Sequence, residues 1–284
     1  MDVLSDVIAA MRIGRPHSSL THREGPWRQE FPETQASGFH IVLSGTCQVI
    51  PAGQEPITMS VGDVAFLPRG LAHEIAADGV LLCGAYQLDR SRSHPLLEEL
   101  PEVIRLPARL GQHPSLRATV DLLAAELHEA LPGSSSTVPA LLDVLLLLIL
   151  RTWLDDHARH RPATGWAAAL ADPALARALS AMHGDPARAW TIHDLAAEAN
   201  LSKATLARRF TALVGRPPLA YLTWWRLTVA TRVLRDSDAP LSTVAGQVGY
   251  SSEYAFANAF KRQHGIAPGR YRKASNVSWD SRTA

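Results

Sequence analysis

Four side chains in the first third of the chain could bind a metal, react with an oxidant or orient a small effector. They are His40, Cys47, His73 and Cys83, which we treat as candidate effector-pocket residues. Zinc prefers four ligands, so a metal at His40 and His73 would need water or the effector to complete its coordination. The cysteines could form a redox pair if their Cα atoms lie within about 7 Å. The alternative is that the histidines are hydrogen-bonded core residues and the cysteines small buried apolar ones.

A second group of side chains, in the last hundred residues, is suited to reading DNA bases. Arginine can bind guanine, asparagine can bind adenine, and glutamate can accept from cytosine. The alternative is that charges such as Arg208 and Lys261 are merely solvated on a helix surface. We expect these residues to face the major groove: Lys203, Ala204, Thr205, Ala207, Arg208, Glu253, Tyr254, Ala257 and Asn258. We expect these to contact phosphates: Thr191, Ser202, Ser252, Lys261 and Arg262.

The same part of the chain contains one pattern twice, at a spacing of fifty residues. Ser202 and Ser252 each occupy the position of a helix N-cap, and Gly215 and Gly265 each close the helix thirteen residues later. Apolar residues follow each serine at the fourth and eighth positions, which predicts a buried helix stripe. A shorter helix precedes each copy, so the pattern predicts two helix-turn-helix motifs.

Local signals also place the elements around the two copies. Asp172 before a proline predicts an N-cap, Thr191 begins a variant of the capping box, and Asn200 suits a left-handed turn between two helices. Residues 217–234 form a long connecting helix, and Ser242 is expected to cap the first helix of the second copy.

The first ninety residues have the spacing of strands and turns that is typical of a small antiparallel barrel or sandwich. Short β-prone runs alternate with Gly, Pro and Asp every eight to twelve residues. If Ser44 and Gly45 form a two-residue hairpin turn, Val42 pairs with Cys47. The period of two then places His40, Val42 and Cys47 on one face, with Val49 beside them.

From about residue 95 to 160 the pattern of short strands and turns gives way to the periodicity of helices. Leu116, Val120 and Leu123 follow one stripe, and a second, more apolar helix extends over residues 141–153. Because this second helix is apolar on more than one face, it must be covered on both sides. Either the barrel covers one side and a second subunit the other, or the domain interior covers both, and we expect a homodimer interface there. Its apolar run, residues 144–150, is too short to span a membrane, which takes about 20 residues.

Charge is distributed unevenly along the chain. Residues 181–284 contain 14 Lys and Arg against 7 Asp and Glu, whereas residues 1–180 contain 14 against 20. A basic C-terminal part suits phosphate neutralisation, and the acidic remainder is not expected to bind DNA. The N-terminus lacks the early Lys or Arg of a secretory signal, and the chain has two cysteines, so we expect a cytoplasmic protein without structural disulfides.

Two stretches carry a resemblance to known families. Residues 241–272, LSTVAGQVGYSSEYAFANAFKRQHGIAPGRYR, closely resemble the signature of the AraC/XylS transcription regulators, and the resemblance covers the whole length. Gly62 to His73 resembles the second motif of the cupins, G-x5-P-x-G-x2-H. The first cupin motif is degraded, with only His40 retained, and Ala77 replaces the asparagine that usually ends the second motif. Ala204 and Ala207 are smaller than the residues common at those positions, so the first motif is expected to depend on Lys203, Thr205 and Arg208.

The resemblance implies a multidomain α+β protein with four regions. These are a cupin-like sensor barrel (1–95), a helical dimerisation and connecting region (96–165), an all-α DNA-binding domain with two helix-turn-helix motifs (166–275) and a tail (276–284). It implies a sequence-specific transcription regulator, which we expect to be an activator, with double-stranded DNA, RNA polymerase and a small-molecule or oxidant effector as partners. No catalytic residue and no cofactor is expected. The alternative is a metal-dependent cupin enzyme that carries a DNA-binding domain.

Overall fold

The computed structural model describes residues 2–88, 94–108, 113–129, 131–160 and 164–280. These residues divide into two compact units. One contains Met11–Pro162, and the other combines Ala163–Ala284 with the first ten residues, Met1–Ala10. The predicted fold class, an antiparallel β unit with helices followed by an all-α unit, is confirmed.

The first unit, called here the barrel unit, contains a seven-stranded sheet in which every strand pair is antiparallel. Its strands are β1 (His17–His22), β2 (Trp27–Phe31), β3 (Ser37–Pro51), β4 (Ile57–Met59), β5 (Val64–Leu67), β6 (His73–Tyr86) and β7 (Ile104–Leu106). The order is β1-β6-β3-β5-β7, while β2 pairs with β6 and β4 with β3. The long strands β3 and β6 therefore form the centre of the sheet.

The predicted hairpin turn at Ser44 and Gly45 is wrong. Strand β3 continues through both residues, and Cys47 pairs with Ala77 on β6. Gly45 lies directly opposite Gly79, with φ of +78° and +136°, and a Cβ on Gly45 would lie 1.9 Å from the Asp78 carbonyl oxygen. The two glycines allow the backbones of β3 and β6 to approach closely in a conformation that other residues rarely adopt.

A β-bulge in β3 nevertheless produces the predicted grouping of side chains. Val42 pairs with Leu81 and Ser44 with Val80, so Leu43 is an extra residue in the ladder. One extra residue reverses the alternation of faces. Val42 and Cys47 consequently lie in the same buried core cluster, although one has an even and the other an odd number.

The described part of the barrel unit also contains the helices α2 (Pro95–Glu98), α3 (Pro114–Glu129) and α4 (Ser134–His160). Leu142, Leu145 and Ile149 on α4 are fully buried, and the Tyr86 hydroxyl on β6 donates to the Leu142 carbonyl at 2.8 Å. Part of α4, Ser134–His157, has the length and mean hydropathy of a membrane-spanning helix, and a third of an 18-residue apolar stretch within it is buried. Its buried stripe packs against α3 and β7, as in the core helix of a globular unit.

The second unit, called here the helical unit, contains the two repeats. Its helices are α5 (Gly165–Ala171), α6 (Pro173–Gly184), α7 (Ile192–Ala199), α8 (Lys203–Val214), α9 (Pro218–Asp236), α10 (Leu241–Gln247), α11 (Glu253–His264) and α12 (Pro268–Asp280). The caps predicted at Asp172, Thr191, Ser202 and Ser252 are confirmed, and Asn200 is left-handed with φ of 54°. The cap predicted at Ser242 is wrong.

Ser242 lies inside α10, whose N-cap is Pro240. Proline has a fixed φ and can end the preceding extended segment without a side-chain cap. The helix therefore begins at Leu241, one residue before the predicted cap.

Helix α1 (Val3–Met11) begins the chain, and all of it except Met11 belongs to the helical unit. Val3, Val7 and Ile8 are buried. The Asp6 carboxylate lies 3.5 Å from Nδ1 of the buried His183, and Arg235 donates to the Ala10 carbonyl at 3.3 Å. The boundaries predicted from the sequence place this helix in the barrel region. Its partners in the helical unit are about 170 or more positions away, so no local signal indicates them.

Candidate nucleic-acid interface and sensor cluster

Helices α8 and α11 have the same length and the same termini. Each has twelve residues, begins after a serine whose hydroxyl accepts from the backbone three residues on, and ends at a left-handed glycine. Their fourth and eighth residues are completely buried in both copies. These four residues are Leu206, Phe210, Phe256 and Phe260. The opposite side of each helix is therefore the side available to a partner.

On α8 two adjacent arginines have different environments. Arg209 forms an ion pair with Asp172, the N-cap of α6. Arg208 is exposed, and it makes no hydrogen bond or ion pair to any residue that the structure describes. Lys203 and Ala204 are exposed beside it, while Thr205 and Ala207 are half-buried. Only Arg208 and Lys203 combine a long side chain with exposure on this surface.

On α11 the corresponding surface is larger and more varied. Tyr254 is 79% exposed, and Glu253 and Asn258 are also exposed, while Ala257 is half-buried. Lys261 and Arg262 are exposed one turn further along the helix. The predicted base readers and the predicted phosphate contacts thus occupy successive turns of one helix face.

The predicted phosphate contacts at the helix starts have hydroxyl groups that already act as caps. Thr191 accepts from the Asp194 amide at 3.2 Å, Ser202 from Thr205 at 3.1 Å, and Ser252 from Ala255 at 3.2 Å. All three residues are exposed. They define helix N-termini, whose remaining free amide groups and positive dipole end favour anions.

Other arginines of the helical unit have a structural role that the sequence did not reveal. Arg177 donates to the Glu198 and Ala199 carbonyls at the end of α7, and Arg226 donates to the Pro186 and Arg188 carbonyls. These contacts satisfy carbonyl groups at helix ends and in loops. Basic composition alone cannot separate them from arginines that face DNA.

In the barrel unit three of the four candidate pocket residues form one hydrogen-bonded chain. His73 Nδ1 lies 2.7 Å from the Leu71 carbonyl oxygen, His73 Nε2 lies 2.8 Å from His40 Nε2, and His40 Nδ1 lies 3.1 Å from Cys83 Sγ. A carbonyl only accepts, so Nδ1 of a neutral His73 carries the proton. His40 Nε2–H then donates to His73, and the Cys83 thiol donates to His40. This cluster, His40, His73 and Cys83, is called here the sensor cluster.

Burial keeps every member of the sensor cluster neutral near pH 7. Burial, together with the neighbouring His73, lowers the pKa of His40 to about 3. Burial also lowers the pKa of His73. Burial, with a smaller effect of Cys47, raises the pKa of the Cys83 thiol to about 12. Each proton in the chain of hydrogen bonds therefore remains on its own donor atom.

Aromatic contacts hold the two imidazole rings in place. Phe31 stacks on His73 with ring centroids 4.8 Å apart, and it contacts His40 edge-on at 5.0 Å. Phe31 on β2 pairs with His73 on β6. Movement of β2 would therefore change the ring contacts of both histidines.

Cys47, the fourth candidate, lies apart from this chain of hydrogen bonds. It is buried in the same core cluster as Cys83, and burial raises the pKa of its thiol to about 11. It also contributes to the wall of a concavity of 710 Å³, which Arg28, Gln48 and Thr58 line from strands β2, β3 and β4. The sensor cluster residues do not line this concavity, so the structure does not join all four candidates in one pocket.

The geometry of His40, His73 and Cys83 does not fit a resident metal ion. Two ring nitrogens, from His40 and His73, point toward each other at 2.8 Å and are joined through one proton. Cys83 lies on the other nitrogen of His40. Among the described residues, no group of three or more His, Cys, Asp or Glu side chains is placed to hold a metal. Zinc and iron sites in proteins require at least three ligands from the chain.

Comparison with known proteins gives matches along most of the chain. A family described as "Cupin" matches residues 2–155, and one described as "Helix-turn-helix domain" matches residues 195–274. A putative AraC-like transcription regulator of Streptomyces lividans is 35% identical over 96% of this chain and 98% of its own. The transcriptional regulator MtrA of Neisseria gonorrhoeae is 30% identical over 96% of this chain and 98% of its own. A solved structure, the DNA-binding domain of AdpA in complex with a target DNA, is 34% identical and covers 38% of this chain and 96% of that domain, with a TM-score of 0.36.

Proposed function

The chain belongs to the family of AraC-like transcription regulators, and from this premise we propose which surfaces bind DNA and which residues receive the signal. It is a DNA-binding transcription regulator with a cupin N-terminal region and a helix-turn-helix C-terminal region. We propose that α8 and α11 each enter a major groove of double-stranded DNA. The fourteen candidate residues would divide into base readers and phosphate contacts; thirteen lie on or cap these two helices, and Thr191 caps α7.

One observation carries this proposal: the two recognition helices expose side chains at equivalent positions. Both are supported by the same buried positions, and the connecting helix α9 packs against both. Two recognition helices on one polypeptide suit two successive major grooves on one side of the duplex. The exposed Lys203, Arg208, Lys261 and Arg262 supply positive charge to this surface.

The experiment is a footprint of the purified protein on DNA recovered with it from cells. We expect protection of two adjacent major grooves on one side of the DNA, about 10 base pairs apart from centre to centre. Hydroxyl-radical cleavage of the bound DNA measures the protection. A footprint confined to a single groove would contradict the use of both helix-turn-helix motifs.

For the barrel unit we propose that the sensor cluster receives a small-molecule or oxidant signal. The support is geometric, because three polar groups converge through hydrogen bonds, with His40 and Cys83 buried and His73 half-buried. Polar groups placed in this way orient ligands in apolar sites. We propose that Cys47 takes part in the same sensing function, through the concavity that it lines.

Replacing His40 or His73 by alanine is expected to abolish the transcriptional response. Regulation requires that the signal favour one of two states of the protein, and the variants remove the groups that would distinguish them. Transcription from the footprinted promoter is measured with and without the inducing signal, and we expect the induction ratio to fall at least about tenfold. Thermal unfolding shows whether the barrel unit still folds.

A double Cys47→Ala and Cys83→Ala variant tests the oxidant signal separately. Loss of the response to hydrogen peroxide in this variant would support an oxidant signal received by the two thiols, and retention of that response would show that the thiols do not receive it. If folded histidine variants respond normally to the inducing signal, the sensor cluster is not the receptor.

We further propose a cytoplasmic homodimer that activates RNA polymerase and has no enzymatic activity. The exposed apolar residues Leu122 and Val144 on α3 and α4 support a dimer surface in the barrel unit. The competing function, a metal-dependent cupin enzyme, needs more metal ligands than His40 and His73 supply. Stoichiometric iron or manganese in the purified protein would favour the enzyme.

A further inference from the structure

We propose that the sixth residue of each recognition helix reads one purine, guanine through Arg208 and adenine through Asn258. This inference rests on the proposed function, because it assumes that α8 and α11 enter the major groove. It adds the identity of one base in each half of the binding site. It also predicts that these two bases are equivalent in position and lie about one turn of DNA apart.

The first support is the equivalence of the two positions. Helices α8 and α11 each have twelve residues between an N-cap serine and a left-handed glycine. Arg208 and Asn258 are each the sixth residue, and both are exposed. Their surroundings are also alike, since the fifth residue is alanine in both helices, Ala207 and Ala257.

The second support is the different environment of the seventh residue. Arg209 is held by Asp172, and its equivalent Ala259 is buried with 7% exposure. The seventh position thus contacts the protein in both helices, whereas the sixth faces outward. Neither Arg208 nor Asn258 makes a hydrogen bond or ion pair within the described part of the chain, so both side chains are available.

The third support is chemical. Arginine forms two hydrogen bonds with O6 and N7 of guanine, and asparagine forms two with N6 and N7 of adenine. Both patterns lie on the major-groove edge of a purine. On α8 the neighbouring Ala204 and Ala207 can offer methyl contacts only, so Arg208 supplies the bidentate contact of this motif, with Lys203 at the helix start.

The test is selection of binding sites from randomised DNA by the full-length protein and its variants. The unchanged protein should select a guanine in one half-site and an adenine in the other, about 10 base pairs apart. Arg208→Gln should change the selected guanine to adenine, because glutamine pairs with adenine in the same bidentate way. Asn258→Ala should remove the adenine preference, with a loss of discrimination of roughly 5- to 160-fold.

Two controls separate base reading from folding and from charge. Arg209→Gln removes an adjacent arginine that contacts Asp172, and it should leave all base preferences unchanged. Lys261→Ala should weaken binding to every sequence alike and reduce the slope of log affinity against log salt by about one.

The outcomes distinguish this inference from the proposed function. If Arg208→Gln retains the guanine preference, or if Arg208→Gln and Asn258→Ala alter the same base pair, the inference is overturned while DNA binding by two motifs stands. If the unchanged protein selects no sequence, the proposed function itself fails. Circular dichroism of each variant verifies that the helical unit is folded.

Discussion

Replacing Gly45 by alanine is expected to prevent the barrel unit from folding. The new Cβ would lie 1.9 Å from the Asp78 carbonyl oxygen on the paired strand, and φ of +78° is unfavourable for alanine. Backbone atoms of a central sheet pair cannot move away without breaking the ladder, so the loss should exceed about 4 kcal/mol. Differential scanning calorimetry of the full-length protein measures it as the loss of one unfolding transition.

The matched control is Gly53→Ala. Gly53 also has a positive φ, +73°, but no atom lies within 4 Å of the position of its Cβ. This substitution carries only the backbone cost of about 1 to 2 kcal/mol. Binding to the footprinted DNA should survive in both variants, because neither residue belongs to the helical unit. Equal destabilisation by the two substitutions would show that close approach at Gly45 and Gly79 is not what requires glycine.

The helical unit was predictable in detail because its signals are local. The caps at Asp172, Thr191, Ser202 and Ser252 each bond to a backbone amide two or three residues away. A propensity of this kind acts within one turn of helix and can be recognised in a single sequence. Because the pattern recurs fifty residues later, the position of the second helix-turn-helix motif could be predicted from that of the first.

The centre of the sheet was less predictable because its causes lie in distant residues. Ser44 and Gly45 have the composition of a hairpin turn, but Gly79, 34 positions later, pairs with Gly45 and keeps the strand continuous. The pairing of Arg209 with Asp172 is similar, since no local signal separates it from Arg208. The sequence named His40, His73 and Cys83 as candidate pocket residues. The order of their hydrogen bonds could be read only from the positions of the three side chains.

Helix α1 provides the second large expected effect, on the stability of the helical unit. Val7 is completely buried, with Asp6 beside His183 and the Ala10 carbonyl bonded to Arg235. Val7→Asp places an unpaired charge in this core and should cost about 3 to 5 kcal/mol. Ala9→Asp adds the same charge at an exposed position of the same helix and should change stability by less than about 0.5 kcal/mol.

Calorimetry of the full-length protein with and without the footprinted DNA separates the two units in these variants. Specific DNA raises the unfolding temperature of the unit that binds it, so the transition that DNA shifts belongs to the helical unit. Val7→Asp should lower the temperature of this transition, because Val7 is buried and residues 2–10 belong to that unit. If Val7→Asp lowered only the transition that DNA leaves unshifted, α1 would belong with the barrel unit in solution, as the sequence boundaries had placed it.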